Sequence, residues 1–241
     1  MNRLKNTIKK VITSIVNYDA FHSYSQSGED LIISFIFNNF LGIPKPTYLD
    51  IGAHHPSYLS NTYLFYQRGC SGVCVEPDPT LFSKIQKKRK RDICLNVGVG
   101  LENKSEDDFY IMTTKTLNTF SKEEAIRYQS YGRQKIEKVI KIPMVPVNDI
   151  IGQYFSKTPN LISLDVEGLD YQILNTFDFS RYRPEVMCIE TLTYTEDQTE
   201  RKIRNIIDLM LLNDYFVYAD TYINTIFIDK KAWSNRKEGD C

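Results

Sequence analysis

Short apolar runs alternate with amphipathic stretches of helical length along the chain after residue 46. This spacing predicts a repeating order of strand and helix. The predicted elements of the first half are a strand at 47–52, a helix at 57–68, a strand at 72–76, a helix at 79–89 and a strand at 93–99. Strands that are connected through helices pair in parallel by right-handed crossovers, so the pattern predicts a parallel sheet covered by helices.

The same order resumes after residue 145 and ends in two strands with a very short connection. The predicted elements are a helix at 148–155, a strand at 161–165, a helix at 170–177, a strand at 186–190, a helix at 197–213 and strands at 215–219 and 225–228. A connection of a few residues cannot make a parallel crossover, so the last two strands must form a hairpin. The predicted fold is therefore α/β, with a doubly wound, Rossmann-like sheet of seven strands that ends in an antiparallel C-terminal hairpin.

The same pattern divides the chain into a core and three additions. The predicted organisation is an N-terminal helical segment packed on the core at 1–46, a core domain at 47–230 with an insertion at about 100–145 after the third strand, and a mobile tail at 231–241. Within the insertion we predict a strand at 109–112 and a helix at 121–138. Apolar positions at helical spacing in 3–16, with basic residues on the other faces, predict an amphipathic helix. That helix either docks on its own domain or makes peripheral contact with a membrane or partner.

The composition fits one globular α/β domain. The chain has 241 residues, enough to bury a core, and 42% of them are hydrophobic. Thirty basic residues balance thirty acidic ones, so the net charge gives no reason to expect nucleic acid as a partner. The basic run at 84–91 ends a predicted helix, where cations complement the helix dipole, and we interpret it as a solvated helix end.

Cysteine usage and the lack of long apolar runs bear on location. Five cysteines without a C-x-x-C pair indicate reduced thiols. No secretion or transmembrane segment is visible in the sequence. We therefore expect a cytoplasmic protein, placed at the inner face of the membrane in the case where the helix at 3–16 binds lipid. A homo-oligomer is compatible with the pattern, which does not choose between oligomeric states.

The strongest chemical signal lies at the ends of the first two predicted strands. Asp50 and Gly52 end the first strand, and Glu76 ends the second. A glycine lets the backbone approach a ligand closely, and a carboxylate at the position of Glu76 can accept hydrogen bonds from both hydroxyls of a ribose. The two strand ends together predict an adenosine-containing ligand.

The loop after Gly52 distinguishes between such ligands. A dinucleotide fingerprint requires later glycines that admit a pyrophosphate, whereas Ala53, His54 and His55 follow Gly52 here. S-adenosylmethionine has one ribose and no phosphate, so it needs no such cradle. The loop therefore favours S-adenosylmethionine as the cofactor over a nicotinamide dinucleotide.

Three further carboxylates follow later strands. Asp165 and Glu167 end the fourth strand, and Glu190 ends the fifth. Ligands of open α/β sheets bind beyond the carboxyl ends of the strands, so these side chains converge on the same crevice. Asp165 is a candidate to face the positive end of the ligand, and all three are candidate ligands for Mg²⁺ or another divalent cation, which would lower the pKa of an acceptor hydroxyl. The alternative is that each carboxylate caps a helix.

His54 and His55 are candidates for the catalytic base, because a histidine can accept a proton from a hydroxyl near neutral pH. Adjacent residues of a turn point in different directions, so at most one of them meets the acceptor. The alternative is that both only shape the turn. Asp165 is the third catalytic candidate.

With these residues laid out, the chain resembles the FkbM family of S-adenosylmethionine-dependent methyltransferases over residues 25–191. The matching motifs are SQSGED at 25–30, YLDIGAHHP at 48–56, SNT at 60–62, VEP at 75–77, NVGV at 96–99 and LDVEG at 164–168. Each motif alone is a weak signal, but their order and spacing together make the resemblance specific.

The resemblance implies the class I methyltransferase fold, with sheet order 3-2-1-4-5-7-6 and strand 7 antiparallel. It also implies O-methylation of a small-molecule or glycan acceptor, at a sugar hydroxyl of a polysaccharide, glycolipid, nucleotide sugar or natural-product glycoside. The implied cofactor-binding residues are Gln26, Glu29, Asp50, Gly52, Ala53, Asn61, Glu76, Pro77, Asn96, Val97 and Asp165.

The family pattern also implies a role for several of these residues. On this interpretation Asp50 and Gly52 border the methionine part of the cofactor, Glu76 holds the ribose, and Asn96 with Val97 flanks the adenine. Two residues of the segment that precedes the sheet, Gln26 and Glu29, would close over the site.

Three other functions remain compatible with the sequence. They are an N-methyltransferase that acts on a small amine or amide, a nicotinamide-dependent oxidoreductase, and a non-catalytic, membrane-peripheral binding module. The missing glycines and the terminal hairpin disfavour the oxidoreductase.

Overall fold

A computed structural model describes residues 22–100, 105–196 and 199–236, so the predicted helix at 3–16 lies outside the described residues. The strands in these ranges are β1 Tyr48–Ile51, β2 Gly72–Val75, β3 Ile93–Leu95, β4 Gly98–Gly100, β5 Glu106–Met112, β6 Ile136–Pro146, β7 Leu161–Leu164, β8 Val186–Glu190, β9 Tyr215–Asp220 and β10 Asn224–Asp229. The α-helices are α1 Glu29–Phe35, α2 Tyr63–Gln67, α3 Pro79–Lys88, α4 Lys122–Ser130, α5 Val147–Tyr154, α6 Asp170–Asn175, α7 Arg204–Leu212 and α8 Lys230–Ser234.

Seven of these strands form one sheet in the order β3-β2-β1-β7-β8-β10-β9. Strands β3, β2, β1, β7 and β8 are parallel to their neighbours, whereas β10 is antiparallel to both β8 and β9. The order reverses at β1, which lies between β2 and β7. This is the doubly wound arrangement of class I methyltransferases, so the predicted fold and its antiparallel hairpin are confirmed.

The two faces of the sheet carry separate apolar clusters because side chains alternate along each strand. Leu49 and Ile51 of β1 pack on one face with helices α5, α6 and α7, and Tyr48 packs on the other face with α1 and α2. Residues of β1 are all buried, as expected for a central parallel strand covered on both sides. The rigid sheet therefore fixes the positions of the residues at its strand ends.

The insertion differs from its predicted structure, because it forms a second sheet in the order β4-β6-β5. The predicted strand at 93–99 is wrong as a single element, since β3 ends at Leu95 and β4 pairs with β6. The second sheet packs closely where β4 begins. A Cβ on Gly98 would lie 2.4 Å from the Phe120 ring and 2.5 Å from the Met144 sulfur, so a larger residue would have to displace these side chains.

The predicted helix at 121–138 is also too long. Helix α4 ends at Ser130, and Gly132 follows with a φ of 85°, a conformation that ends helices. The chain then enters β6, whose apolar residues Ile140, Ile142 and Met144 alternate with more polar positions as in a strand. The predicted helix at 121–138 overlaps only the first three residues of β6, and the alternation that follows residue 138 belongs to no predicted element.

Two further helices are shorter than predicted, and in both cases a loop replaces their first turns. The helix predicted at 57–68 is reduced to α2, since Leu59 has a φ of 53°. The helix predicted at 197–213 is reduced to α7, because backbone bonds from Thr193 to Arg201 and from Ile203 to Thr191 form a folded loop ahead of it. Both loops lie near the carboxyl ends of the strands, where they contribute to the candidate active site.

The segment predicted as a mobile tail begins with an ordered element. Trp233 of α8 packs its ring 4.9 Å from that of Phe40 and 5.6 Å from that of Phe216, measured between ring centroids. Residues 237–241 lie outside the described part. Across the described ranges, no helix combines the length and the apolar character that crossing a bilayer would require.

Candidate active site

A large cavity of about 640 Å³ opens at the carboxyl ends of the strands next to the switch point between β1 and β7. Its floor is formed by the ends of β1, β2, β7 and β8, and its walls come from the insertion, from the loop after β8 and from the start of β10. The volume is within the range of small-molecule sites. Most of the acidic residues predicted from the sequence line this cavity.

Gly52 lies where the ends of β1 and β7 approach each other most closely. It has a φ of 80°, and a Cβ at this position would lie 1.7 Å from the backbone oxygen of Asp165. The backbone nitrogens of Gly52 and Ala53 both donate to the oxygen of Val75 at 3.1 Å. No larger residue can replace this glycine without moving β7, so the predicted close turn is part of the cavity floor.

Glu76 lies just beyond the end of β2 and lines the cavity. Its Oε1 accepts the Asp78 backbone N–H and its Oε2 accepts that of His54, both at 2.8 Å. The side chain is held rigidly, yet each oxygen keeps a lone pair for a ligand hydroxyl. Burial raises the pKa of Glu76 to about 8, although the two backbone donors oppose that shift. A bound ligand that donates hydrogen bonds would stabilise the ionised form.

Other predicted cofactor residues surround Glu76 in two ways. Pro77 and Val97 line the cavity beside it. Asn96 stands behind them, where its Nδ2 donates to the backbone oxygens of Glu76 and Pro77, both at 2.9 Å. Asn96 therefore holds the loop between β2 and the cavity, and its contact with adenine stays a prediction.

Two predicted polar residues lie on the β7 side of the cavity. Gln26 and Asn61 both line it. The sheet holds the Asn61 side chain in place, because its Nδ2 donates to the hydroxyl of Ser163 in β7 at 3.1 Å. The amide oxygen of Asn61 is then the part of the side chain that is free to turn toward a ligand.

Asp165, Glu167 and Glu190 converge in the cavity as predicted. One carboxylate oxygen from each lies within 4.8 Å of the others. Asp165 and Glu190 share a hydrogen bond, so one of the two carboxyls carries a proton when that bond is formed. Burial is the main cause of the raised pKa values of all three, and it brings the pKa of Asp165 to about 6. Such a cluster favours a positively charged ligand.

Neighbouring residues hold Glu167 in an unusual backbone conformation. Its φ is 54°, and its backbone oxygen accepts the Thr119 hydroxyl at 2.8 Å. Its Oε2 accepts the hydroxyl of Tyr128, which is buried in the insertion. Asp170 closes the same loop by accepting the backbone N–H groups of Val166 and Gly168. The insertion thus buttresses the acidic cluster, a role that its sequence did not reveal.

The two histidines occupy different environments. His54 lines the cavity and has a φ of 49°. Burial and the neighbouring His55 lower the pKa of His54, which keeps the ring neutral near pH 7 and able to accept a proton. His55 does not line the cavity; its Nδ1 accepts the backbone N–H groups of Ser57 and Tyr58 at 3.2 and 2.9 Å. These bonds give His55 a structural role in the turn, and its role as the base stays a prediction.

Besides Asn96, three predicted cofactor residues lie outside the cavity lining. Ala53 is buried beneath the loop. Asp50 points to the opposite side of β1, where it accepts the Thr62 hydroxyl at 2.5 Å and pairs with Arg89 at 3.4 Å. Glu29 lies one layer behind the cavity wall and holds Asn224, which does line it. Alternation along β1 accounts for Asp50, since the cavity-facing turn begins only after Ile51.

The cavity lining also includes hydroxyl, amide and aromatic groups that the sequence did not single out. It contains Tyr58, Asn118, Thr193, Tyr194, Thr195 and Tyr222. These residues come from four separate loops, so no spacing in the sequence connects them. The only signal was the aromatic content of the insertion, which mostly packs inside that insertion instead.

Comparison with solved structures returned methyltransferases with low sequence identity. A precorrin-6y C5,15-methyltransferase from Geobacter metallireducens shares 11% identity, with 89% of this chain and 96% of that chain covered and a TM-score of 0.43. An O-methyltransferase from Bacillus cereus, solved in complex with SAH, shares 12% identity, with 92% and 89% covered and a TM-score of 0.46.

Comparison at the level of sequence is more specific. The model of the methyltransferase FkbM domain matches residues 50–217, which contain the strand ends that form the cavity floor. No curated protein matched the chain. Because the match extends over more than half of the chain and includes Gly52, Glu76 and the acidic cluster, the protein is a member of the FkbM family of S-adenosylmethionine-dependent methyltransferases.

Proposed function

We propose that the protein transfers a methyl group from S-adenosylmethionine to a hydroxyl of a sugar. The observation that carries this proposal is that two chemically different sets of residues line one cavity. One set is Glu76 with the strand ends, and the other is the hydroxyl and aromatic groups of Tyr58, Thr193, Tyr194 and Tyr222. Hydroxyl groups both donate and accept hydrogen bonds, and ring faces pack on apolar surfaces, which together suit a polyhydroxylated ring.

The residues of the first set fit the cofactor. Glu76 offers two fixed carboxylate oxygens to the ribose hydroxyls, and Pro77 with Val97 offers apolar surface to the adenine. Gly52 leaves room for the ligand at the end of β1, where a side chain is excluded. The acidic cluster stands where it can stabilise the positive charge of the sulfonium.

The chemistry requires alignment, exclusion of water and removal of one proton. When bound, S-adenosylmethionine supplies a methyl group on a positively charged sulfur, which a hydroxyl oxygen can attack in line. Asp165 is the best placed proton acceptor, because it lines the cavity and its pKa of about 6 leaves it ionised at neutral pH. His54 is the second candidate, since its lowered pKa keeps it neutral. The walls from the insertion and from the loop after β8 exclude water.

The acidic cluster also fits a divalent cation. Asp165, Glu167 and Glu190 provide oxygen ligands of the kind that Mg²⁺ prefers, within 4.8 Å of one another. A cation held there would lower the pKa of the acceptor hydroxyl and orient it. The three residues would also be relieved of their mutual repulsion, which gives the cation a reason to bind.

The proposal also covers the partners of the protein. We infer a small-molecule or glycan acceptor and no nucleic acid, because Lys115, the one lysine or arginine among the described residues of the cavity lining, is paired with Glu137. A phosphate backbone needs several available cations. Family membership favours methyl transfer over a nicotinamide-dependent reaction.

The direct test is a methylation assay with labelled S-adenosylmethionine, purified full-length protein and glycan extracts separated by size. We expect label in a sugar fraction, and mass spectrometry should show the mass gain of one methylene group on a hexose. Glu76→Ala should weaken the binding of S-adenosylhomocysteine in calorimetry by about tenfold or more. Exposed Glu123 provides the control, Glu123→Ala, which should leave that binding unchanged. Label found only on an amine would show that the acceptor atom is a nitrogen and not a sugar hydroxyl oxygen. Glycans without label would contradict the proposal.

A further inference from the structure

One wall of the cavity contains a buried amide whose oxygen has no partner. Asn224 is the first residue of β10, is 3% exposed and lines the cavity. Its Nδ2 donates to Oε1 of Glu29 at 3.1 Å. Its Oδ1 accepts no hydrogen bond from any residue in the described ranges. An unpaired carbonyl oxygen in a buried position is unfavourable, so this atom is suited to a ligand that brings a donor hydrogen.

Glu29 determines the orientation of the Asn224 amide. Glu29 is fully buried, and it accepts the Thr221 hydroxyl at 2.6 Å and the Ser27 backbone N–H at 2.8 Å. Burial opposes its ionisation, but these hydrogen bonds hold the pKa of Glu29 below its ordinary value. An ionised carboxylate can only accept hydrogen bonds, so the amide must present its NH₂ group to Glu29, which leaves its buried oxygen for another donor.

The residue opposite Asn224 adds negative charge to the same wall. Asn224 and Glu190 are direct partners in the antiparallel pair of β10 and β8, so their side chains lie on the same face about 5 Å apart at Cβ. Glu190 is in turn hydrogen-bonded to Asp165. The wall therefore presents several acceptor oxygens and a negative potential. An ammonium group matches this wall, because it is positively charged and carries three donor hydrogens, whereas a hydroxyl carries one donor and no charge.

We propose that Glu29 orients Asn224 so that its Oδ1, together with Glu190, binds an ammonium group of a ligand in the cavity. Asn224 contacts the ligand, and Glu29 is a positioning residue that acts through it. Two ligands can supply this group, namely the methionine part of S-adenosylmethionine and an acceptor that carries an amine. The second source rests on the proposed function, because it assumes that an acceptor occupies the same cavity.

The experiment compares ligands that differ in the ammonium group, using full-length protein and calorimetry. S-adenosylhomocysteine carries the group and 5′-methylthioadenosine lacks it. Asn224→Ala should weaken the binding of S-adenosylhomocysteine by about tenfold and leave 5′-methylthioadenosine within about twofold, if the cofactor is the source. If the acceptor is the source, Asn224→Ala should weaken the binding of glucosamine, which carries an amine, and not that of glucose, which lacks it. Both affinities are measured on protein saturated with S-adenosylhomocysteine.

Glu29→Gln provides a second variant that does not alter the cavity lining. A glutamine amide can donate to Asn224 Oδ1, which frees the Asn224 amide to turn and present its NH₂ group to the ligand. We expect the same amine-selective loss from this substitution, which a purely structural role would not produce. Asn39→Ala, at an exposed asparagine of the segment after α1, is the matched control and should leave all four affinities unchanged.

Three results would overturn the proposal. The first is an equal loss of affinity for both members of each ligand pair, and the second is no loss of affinity in either pair. The third is that Asn224→Ala lowers the affinity for Mg²⁺ and shows no amine selectivity. Wild-type protein that binds neither amine-bearing probe would overturn it as well. The test uses no methyl transfer, so a failure to methylate sugars would count against the proposed function and would leave an amine-selective result standing.

Discussion

Two regions of the described structure bring carboxylates together, and they differ in whether a basic side chain lies among them. Asp50 and Asp92 lie beneath β1 and β2 around Arg89, whose guanidinium is fully buried and pairs with Asp92 at 2.8 Å. Tyr48 and Thr62 complete that network with their hydroxyls. Every charge there has a partner of the opposite sign, and the network lies outside the cavity lining.

The carboxylates of the cavity are different. Glu76, Asp165, Glu167 and Glu190 form no ion pair with a lysine or arginine within the described ranges, and burial raises the pKa of each. The first region therefore stabilises the fold. In the second region the carboxylates repel one another, and a cationic ligand would reduce that repulsion. The contrast shows that burial alone does not identify a site, and that the missing counter-charge does.

The largest expected effect comes from removing the counter-charge of the closed region. Arg89→Met leaves Asp50 and Asp92 buried without a cation, so the free energy of unfolding should fall by about 3–5 kcal/mol. Urea denaturation followed by circular dichroism measures this. Lys87→Met changes an exposed cation on the same helix and should leave stability nearly unchanged. Equal effects of the two substitutions would remove the distinction between the regions.

The next largest expected effect is the dependence of the free energy of unfolding on pH, which the cavity region causes. The folded protein holds a proton on Glu76 up to about pH 8, whereas the unfolded chain releases it near 4.5, so the folded state binds more protons between these values. Stability should therefore fall as pH rises through this window, by about 1.4 kcal/mol per pH unit for this proton. Glu76→Gln should remove that part of the slope, and Glu123→Gln, at an exposed position, should retain it. Denaturant titrations at several pH values measure both, and unchanged slopes would contradict the assignment.

A divalent cation should stabilise the cavity region and not the closed one. We expect Mg²⁺ at ten times its Kd to raise the free energy of unfolding by about 1.4 kcal/mol in the wild type. Glu190→Gln should lose this gain because it removes a carboxylate ligand, and KCl at matched ionic strength should not reproduce it. Thermal unfolding with and without chelator measures the difference. The same gain in the variant would place the cation elsewhere.

The smallest expected effect is a pair of substitutions that change the free energy of unfolding in opposite directions. Without metal at pH 8, Glu190→Gln should raise the free energy of unfolding by about 1 kcal/mol, because the unfolded chain ionises this carboxyl whereas burial opposes its ionisation in the folded state. Asp92→Asn should lower it, because the buried Arg89 guanidinium then loses the carboxylate that lies 2.8 Å from it. Parallel denaturant titrations decide the point, and two shifts of the same sign would show that the regions do not differ in charge balance.

Features that depend on strand position alone were predictable from the sequence. Glu76 and Asp165 fall in the cavity because the apolar pattern locates strand ends, and strand ends of a parallel sheet share one edge. Asp50 belongs to the same motif, but it precedes the strand end by one residue, and alternation turns it to the other face. Side-chain direction so close to a turn depends on backbone angles that the pattern does not contain.

Features that depend on tertiary packing were not predictable in this way. Arg89 belongs to a basic run that the sequence indicated as solvated, and its burial among Tyr48, Tyr63 and Tyr66 depends on contacts with distant strands. The hydroxyl and aromatic groups of the cavity lining come from loops that are far apart in the chain. Asn224 likewise gains its orientation from Glu29, a residue of the first described helix.

The bond between Glu29 and Thr221 joins positions separated by 192 residues. Closing so long a loop carries a large entropic cost and raises the contact order of the fold, so this junction is expected to form late in folding. During synthesis, the strands that carry Gly52, Glu76 and Asp165 leave the ribosome well before the hairpin that carries Asn224. A chain shortened by its last twenty residues would retain the strand ends of the cavity floor and would lack the wall opposite Glu190. High ligand affinity therefore indicates that the region of Glu29 has packed against the hairpin that carries Thr221 and Asn224.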